Sequence, residues 1–376
     1  MRLDSTERCR ALAVDGECGL QKKVRVDGQD VVLTAFQRGE GGGPVDVPVL
    51  NDALLEKLAE RFGLEACGID CGLFLGDFGI GNFDGDTHAD LAVAFEAFHP
   101  DMSDDRLGAG IAVMSGGRNG LQPGSVALVE AGGQQLGDAL EAYESLWGVA
   151  AGDVDGDGAD DLALGVIALD PEFVRAIVLY ESPDGLGQSR RAQTWQPGHN
   201  EGDYGAPVAF GDFDSDGYSD LVIGSPHNES VGVIYGSRNG LTEVRTQEWS
   251  KDSPGMPRAG EPGVGLGNVL AVGDFNGDGA DDLATAGRFV PENVLVLYGG
   301  VASGSWLALG SAGLTARRLQ LWTPDAGGLP TGVQADDGAL SVGWFGGSDH
   351  LDLAVVNRRY GERTVLLGSP DGLVTN

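Results

Sequence analysis

Residues 211–223 read GDFDSDGYSDLVI, and residues 273–285 read GDFNGDGADDLAT. The same pattern stands at 152–164 as GDVDGDGADDLAL and at 81–93 as GNFDGDTHADLAV. A worn fifth copy, GWFGGSDHLDLAV, occupies 343–355. Counted from the residue after the first Gly, the copies begin at 82, 153, 212, 274 and 344, so the intervals are 71, 59, 62 and 70 residues. A period of this size marks a repeat architecture, in which each unit buries its apolar face only against the next.

Each copy runs into an apolar stretch and then into a β-rich stretch that ends in a turn. Those later stretches are VMSGGRNGL at 113–121, VLYESPDGL at 178–186, VIYGSRNGL at 233–241 and VLLGSPDGL at 365–373. Asn-Gly and Asp-Gly supply the positive φ angles of tight hairpin turns. The fourth copy departs here, running VLYGGVASGSW from Val296 before it reaches Gly313 and Leu314. Three copies then close on RAQTW (191–195), RTQEW (245–249) and RLQLW (318–322), where alternate Arg, Gln and Trp share one strand face. Each unit reads as strand, acidic loop, strand, turn, strand, turn, strand. Four short strands in roughly 60 residues form one propeller blade. The expected fold is therefore all-β, a β-propeller of four-stranded blades, with five repeats visible and six to seven blades expected, the 376-residue length alone dividing into about six units.

The repeats occupy 73–376, and residues 1–72 form a separate N-terminal segment without an acidic loop. That segment shows β-like runs at Arg10–Val14, Lys22–Val26 and Val31–Phe36, with Asp27-Gly28 as a turn signal. A short amphipathic helix is expected over Asn51–Phe62, because Leu54, Leu55, Leu58 and Phe62 recur at helical spacing behind Asn51 or Asp52 as N-cap. The last repeat stops soon after VLLGSPDGL, so the N-terminal segment is expected to supply its fourth strand and close the ring.

Within the loop, positions 1, 3, 5 and 9 carry carboxylates or amides. They are Asn82, Asp84, Asp86 and Asp90; Asp153, Asp155, Asp157 and Asp161; Asp212, Asp214, Asp216 and Asp220; and Asp274, Asn276, Asp278 and Asp282. Alternate oxygens in a tight loop suit a hard cation that takes six to eight oxygen ligands, and backbone carbonyls at position 7 (His88, Ala159, Tyr218, Ala280) would complete the shell. Calcium fits better than magnesium, which demands a stricter octahedron. Soft ligands are absent from the pattern, which disfavours zinc and copper. About four calcium sites are expected, since the fifth copy has Trp344, Gly346 and Ser348 at positions 1, 3 and 5 and keeps only Asp352.

These residues carry a resemblance. The motifs FDGDTHADL, VDGDGADDL, FDSDGYSDLVIGSP and FNGDGADDL resemble the FG-GAP (VCBS-type) repeats of integrin α-subunit propellers and many bacterial surface proteins. Tyr204-Gly205-Ala206 and Leu266-Gly267-Asn268 stand where the Phe-Gly element would be. The resemblance implies a propeller, often seven-bladed, with calcium between the first two strands of a blade. By the same analogy it implies an adhesion or protein-interaction role, outside the cell or at its surface.

Composition bounds the alternatives. Asp and Glu number 57 against 24 Lys and Arg, a net charge of −33 that repels phosphate backbones and makes nucleic acid an unlikely partner. No apolar run reaches the ~18–20 residues of a membrane helix. MRLDSTERCR shows no signal-peptide core, which leaves a cytoplasmic protein or a mature form numbered after cleavage. Cys9, Cys18, Cys67 and Cys71 fit two disulfides of an oxidising compartment, free thiols in a cytoplasmic protein, or, with marginal spacing, zinc. The five His (His88, His99, His199, His227, His350) make no nucleophile–base grouping, so no enzymatic activity is expected. Trp195, Trp249 and Trp322 admit two roles, packing between blades or stacking on a sugar. A protein or glycan ligand on a propeller rim is the expected partner. A carbohydrate-binding propeller is the alternative, and a polysaccharide-acting enzyme a more distant one.

Overall fold

Polar alternation is missing from the middle of each repeat. Leu221, Val222 and Ile223 stand in a row, and Val294–Tyr298 is apolar or aromatic throughout. A strand of that kind needs cover on both faces. In the computed structural model it obtains that cover from neighbouring sheets. The structure describes residues 20–26, 29–35, 54, 57–58, 60–62, 73–98, 106–118, 120–140, 144–169, 172–182, 185–188, 192–196, 207–257, 266–286, 293–300, 312–323, 329, 338–346, 349–357 and 363–375.

Strands β1 (Leu20–Val26) and β2 (Gln29–Ala35) pair with each other antiparallel, Val26 opposite Gln29, around the Asp27-Gly28 turn signal. Five further sheets follow in order, one for each repeat. The first holds β3 (Leu73–Gly81), β4 (Asp90–Phe98), β5 (Arg106–Met114) and β6 (Ala127–Glu130). The second holds β7 (Ser145–Gly152), β8 (Asp161–Leu169), β9 (Glu172–Leu179) and β10 (Gln193–Trp195). The third holds β11 (Val208–Gly211), β12 (Asp220–Ser225), β13 (Ser230–Ile234) and β14 (Thr246–Ser250). The fourth holds β15 (Val269–Gly273), β16 (Asp282–Ala286), β17 (Val294–Tyr298) and β18 (Thr315–Trp322). The fifth has three strands among the described residues, β19 (Gly338–Gly343), β20 (Asp352–Asn357) and β21 (Arg363–Leu366). Strands pair in chain order within every sheet, as in propeller blades. The run Arg10–Val14 and all four cysteines lie outside the described residues.

The chain divides into two compact units, Met1–Val149 with Leu179–Gln193, and Ala150–Val178 with Thr194–Asn376. In the first unit the short helix is present, its described residues being 54, 57, 58 and 60–62. Leu54 and Leu58 are buried on Phe95, Ala97, Ala112 and Met114 of the first sheet, and the Phe62 ring lies 5.8 Å from that of Phe95, tilted by 54°. Gly108 makes room for it, since a Cβ there would stand 2.6 Å from the Phe62 ring.

In the second unit the first strands β11, β15 and β19 lie side by side. Period two then decides which core each residue joins. On β17, Leu295 and Leu297 enter a core with Phe213, Val222, Val231 and Val233 of the third sheet. Their neighbours Val294, Val296 and Tyr298 enter the next core, with Leu353, Val355 and Leu366 of the fifth sheet. One strand thus glues two sheets. Trp249 packs against the first of these cores and Trp322 against the second.

A polar latch reinforces each of these junctions. Tyr235 donates from its hydroxyl to Gln247 Oε1 at 2.8 Å, and the same hydroxyl accepts from Leu314 N at 3.3 Å in the fourth sheet's last turn. Gln247 Nε2 donates to Leu314 O at 3.3 Å. Tyr298 and Gln320 hold Leu373 in the same way, with Leu373 N 3.0 Å from the hydroxyl and Gln320 Nε2 3.0 Å from Leu373 O. The gripped turns carry Gly313 and Gly372, whose φ angles of +104° and +102° and nearness to the tyrosine hydroxyls exclude a side chain. Removing the hydroxyl in Tyr298→Phe takes away the Tyr298–Gln320 bond and one of the two acceptors of the Leu373 N–H, which keeps Gln320 Oε1 at 3.1 Å, at a cost of about 0.5–1.5 kcal/mol. Urea unfolding should show that loss, with the midpoint lowered and the slope unchanged.

Candidate metal centre

In the first four of the five repeat sheets the acidic loop joins the first strand to the second. Its shape comes from side chain to backbone hydrogen bonds. Asp153 Oδ1 accepts from Gly156 N at 2.7 Å and Asp157 N at 3.1 Å, and its Oδ2 accepts from Gly158 N at 2.9 Å. Asp274 repeats this with Gly277, Asp278 and Gly279, and Asp212 with Asp216 and Gly217. The position-5 carboxylate accepts the position-7 N–H in all four loops, from His88, Ala159, Tyr218 and Ala280. The backbone turns left-handed at position 4, where Ser215 adopts φ +56° in a place held elsewhere by Gly.

This curl draws side chains together. Ligand atoms of Asp153, Asp155 and Asp157 lie within 4.8 Å of one another, and so do those of Asp212, Asp214 and Asp216. Both triads could hold a metal ion. Asp214 is buried, and its Oδ1 has no hydrogen-bond partner. A buried carboxylate oxygen without a partner costs free energy, and a cation among the three carboxylates would supply one. The donors are all hard oxygens, the set calcium takes. In the other two loops an amide replaces one carboxylate. Asn82 Nδ2 donates to Asp86 O at 2.8 Å, and Asn276 Oδ1 accepts from Asp278 N at 2.9 Å.

Position 9 does something in addition to what its spacing suggested. Asp90, Asp161, Asp220, Asp282 and Asp352 are buried at the start of the second strand. Oδ2 of each accepts the N–H of position 2, from Phe83, Val154, Phe213, Phe275 and Phe345, at 2.7 to 3.2 Å. In four of them Oδ1 accepts the N–H of the glycine that ends the third strand, Gly116, Gly236, Gly299 or Gly368, at 2.7 to 2.9 Å. These are loop-to-sheet locks. The fifth copy keeps Asp352 for this reason although its other acidic positions are gone.

The loops are also stitched to one another within the second unit. Asp153 O accepts from Ser219 N and Asp212 O from Asp281 N, both at 2.8 Å, while Asp281 Oδ2 accepts from Asp212 N at 3.0 Å. Position 2 fills the sheet junction beside them, with Phe213 in one core and Phe275 in the next. Phe345 and Trp344 of the worn copy are instead 51% and 70% exposed.

Burial sets the protonation of these carboxyls. It pushes Asp220 and Asp282 up to about 8 against their backbone hydrogen bonds, and Asp216 up to about 6 with help from the Asp214 charge. Asp90, Asp212 and Asp281 are raised for the same first reason. Asp86 is instead lowered by the His88 N–H. A carboxyl raised on folding contributes stability that is present below its unfolded value and is lost as pH climbs through the folded one. The chelator-treated protein should therefore lose melting temperature between about pH 4 and pH 8, the window set by Asp220 and Asp282.

No described helix is long and apolar enough to cross a membrane. Residues 204–236, which contain the third acidic loop, match the FG-GAP repeat family. Phosphatidylinositol-glycan-specific phospholipase D of Bos taurus is 33% identical over 105 residues, 26% of this chain and 12% of that protein. Integrin alpha-4 of Xenopus laevis is 30% identical over 179 residues, 45% of this chain and 16% of the integrin. Human integrin alpha-7 is 28% identical over 158 residues, 40% and 12% of the two chains. The chain thus spans about an eighth to a sixth of the length of these relatives. The rhamnogalacturonan lyase YesW superposes with a TM-score of 0.43 at 13% identity, over 81% of this chain and 51% of that one, a likeness too loose to argue from. With five blade-like sheets and acidic loops between first and second strands, the chain carries an FG-GAP repeat at residues 204–236 and is distantly similar to integrin alpha subunits and phosphatidylinositol-glycan-specific phospholipase D.

Proposed function

We propose that the chain is a calcium-loaded, non-catalytic interaction module whose blade rims receive a protein or glycan ligand. The observation that carries the calcium part is the Asp212, Asp214 and Asp216 cluster with its buried, unpartnered Asp214 oxygen. Positions 1, 3 and 5 of the four intact loops would bind the ion, joined by the position-7 carbonyls and, on its remaining lone pairs, by the position-9 carboxylate. The ion neutralises like charges held in one turn and pins the loop that seats Phe213 or Phe275 between sheets. Its role is structural, since every donor is local to the loop.

The interaction role, and a location outside the cell or at its surface, follow from the resemblance to integrin alpha subunits. The glycan alternative leaned on Trp195, Trp249 and Trp322, of which Trp249 and Trp322 pack against sheet cores. That favours a protein ligand.

Calorimetric titration with calcium, followed by thermal melting, tests the proposal. The melting temperature should rise with free calcium and fall with chelator, as ligand linkage requires. Asp155→Ala and Asp214→Ala should each remove one binding site. A wild-type chain that takes up no calcium and melts alike in both buffers would end the calcium reading. Asp352→Asn separates the lock from the ion. It should destabilise the chain by about 1–3 kcal/mol in urea, by setting an amide NH2 where an oxygen accepted a backbone N–H, and leave calcium stoichiometry unchanged.

A further inference from the structure

Asp214 has two unlike oxygens. Oδ1 is buried without a partner, while Oδ2 lies 2.5 Å from Nη1 of Arg245. Arg245 opens the RTQEW motif just before β14, and its side chain is 36% exposed against 2% for Asp214. Its guanidinium lies 4.1 Å from the centre of the Tyr235 ring, and Nη2 donates to Ala312 O at 3.4 Å. Ala312 precedes the Gly313-Leu314 turn that Tyr235 and Gln247 grip. One cationic side chain therefore touches an acidic loop, the latch tyrosine and the neighbouring sheet.

The fourth repeat offers a contrast. Its position 3 is Asn276, which has no charge to pair, and its equivalent arginine, Arg318, is exposed. Arg245 is thus drawn to a loop whose position 3 is a carboxylate, while Arg318 stands exposed beside a loop where that position is an amide.

We infer that Arg245 is a resident counter-cation of the third acidic loop, which weakens divalent-ion binding there and couples occupancy of the loop to the junction with the fourth sheet. The inference rests on the calcium reading above. A guanidinium on Oδ2 and a divalent ion on Oδ1 would share one carboxylate. Each lowers the negative charge available to the other, and the two cations repel. Without the ion, Arg245 offsets part of the charge of the cluster, so the empty loop is tolerated. With the ion, Arg245 is pushed toward the Tyr235 ring and Ala312, where its remaining contacts lie.

Calcium affinity of the third loop can be followed in isolation on Asp155→Ala, Asp84→Ala and Asp278→Ala combined, which disables the other three loops. Adding Arg245→Gln should tighten calcium binding about tenfold, the scale of removing one unit charge near a divalent ion at a partly exposed site. Arg245→Lys keeps the charge and should leave affinity within about twofold of the parent, which also guards against a merely misfolded glutamine variant. In the otherwise wild-type chain, Arg245→Gln should lower the calcium-free melting temperature and enlarge the rise on adding calcium. Unchanged or weaker binding in Arg245→Gln, or equal tightening in the lysine variant, overturns the counter-cation role while leaving the calcium reading intact. Loss of no site in Asp214→Ala sinks the calcium reading, and this inference with it.

Discussion

A single buried carboxylate per repeat organises what surrounds it. Asp220 accepts the Phe213 N–H on one oxygen and the Gly236 N–H on the other, and so ties the acidic loop to the far end of the third strand. The same geometry recurs around Asp90, Asp282 and Asp352. Hydrogen bonds from two backbone amides to the two oxygens of one buried carboxyl are directional, which lets one residue hold two chain segments in register. Gly236 and Gly299 are required at the receiving end, because a Cβ would come within 2.5 Å and 2.1 Å of a carbonyl oxygen of the same loop. Once the loop is closed, positions 1, 3 and 5 have nowhere to go but toward one another.

The closed loop also does work at the sheet junction. Position 2 is the residue whose amide the lock holds, and its side chain is the wedge between sheets. Backbone bonds from one loop to the next extend the same tie sideways. Ion, lock and wedge therefore share a short stretch of chain. A cation at the loop would act on stability through the sheet contacts as well as through its own ligands, as expected where neighbouring repeats supply each other's core.

The second tie, through tyrosine and glutamine, was not seen in the sequence, although its signal was there. Tyr180, Tyr235 and Tyr298 end the third strand in the three copies that carry the Arg-x-Gln-x-Trp motif. The first copy has Ser115 at that place and lacks the motif. Tyrosine and glutamine come and go together because the hydroxyl of one bonds the carbonyl of the other. Read singly, the tyrosine looked like one more β-former and the glutamine like one more strand residue.

The repeat, its strand count, the place of the acidic loop, the Leu20–Ala35 hairpin and the short helix over 54–62 were all legible in the order of residues, because they follow from periodicity and turn chemistry acting over neighbours in the chain. The carboxylates at positions 1, 3 and 5 of the second and third loops were legible too, since one tight loop brings Asp153, Asp155 and Asp157 together, and another Asp212, Asp214 and Asp216. What the tertiary structure decided is how residues far apart share their charges and hydroxyls. Asp214 meets Arg245 across 31 positions, and Tyr235 meets Leu314 across 79. The position-9 aspartate is a lock only because a third strand returns beside it. Local spacing sets which groups a loop presents, but burial between sheets determines which of them find partners, and that depends on the stacking of one repeat on the next.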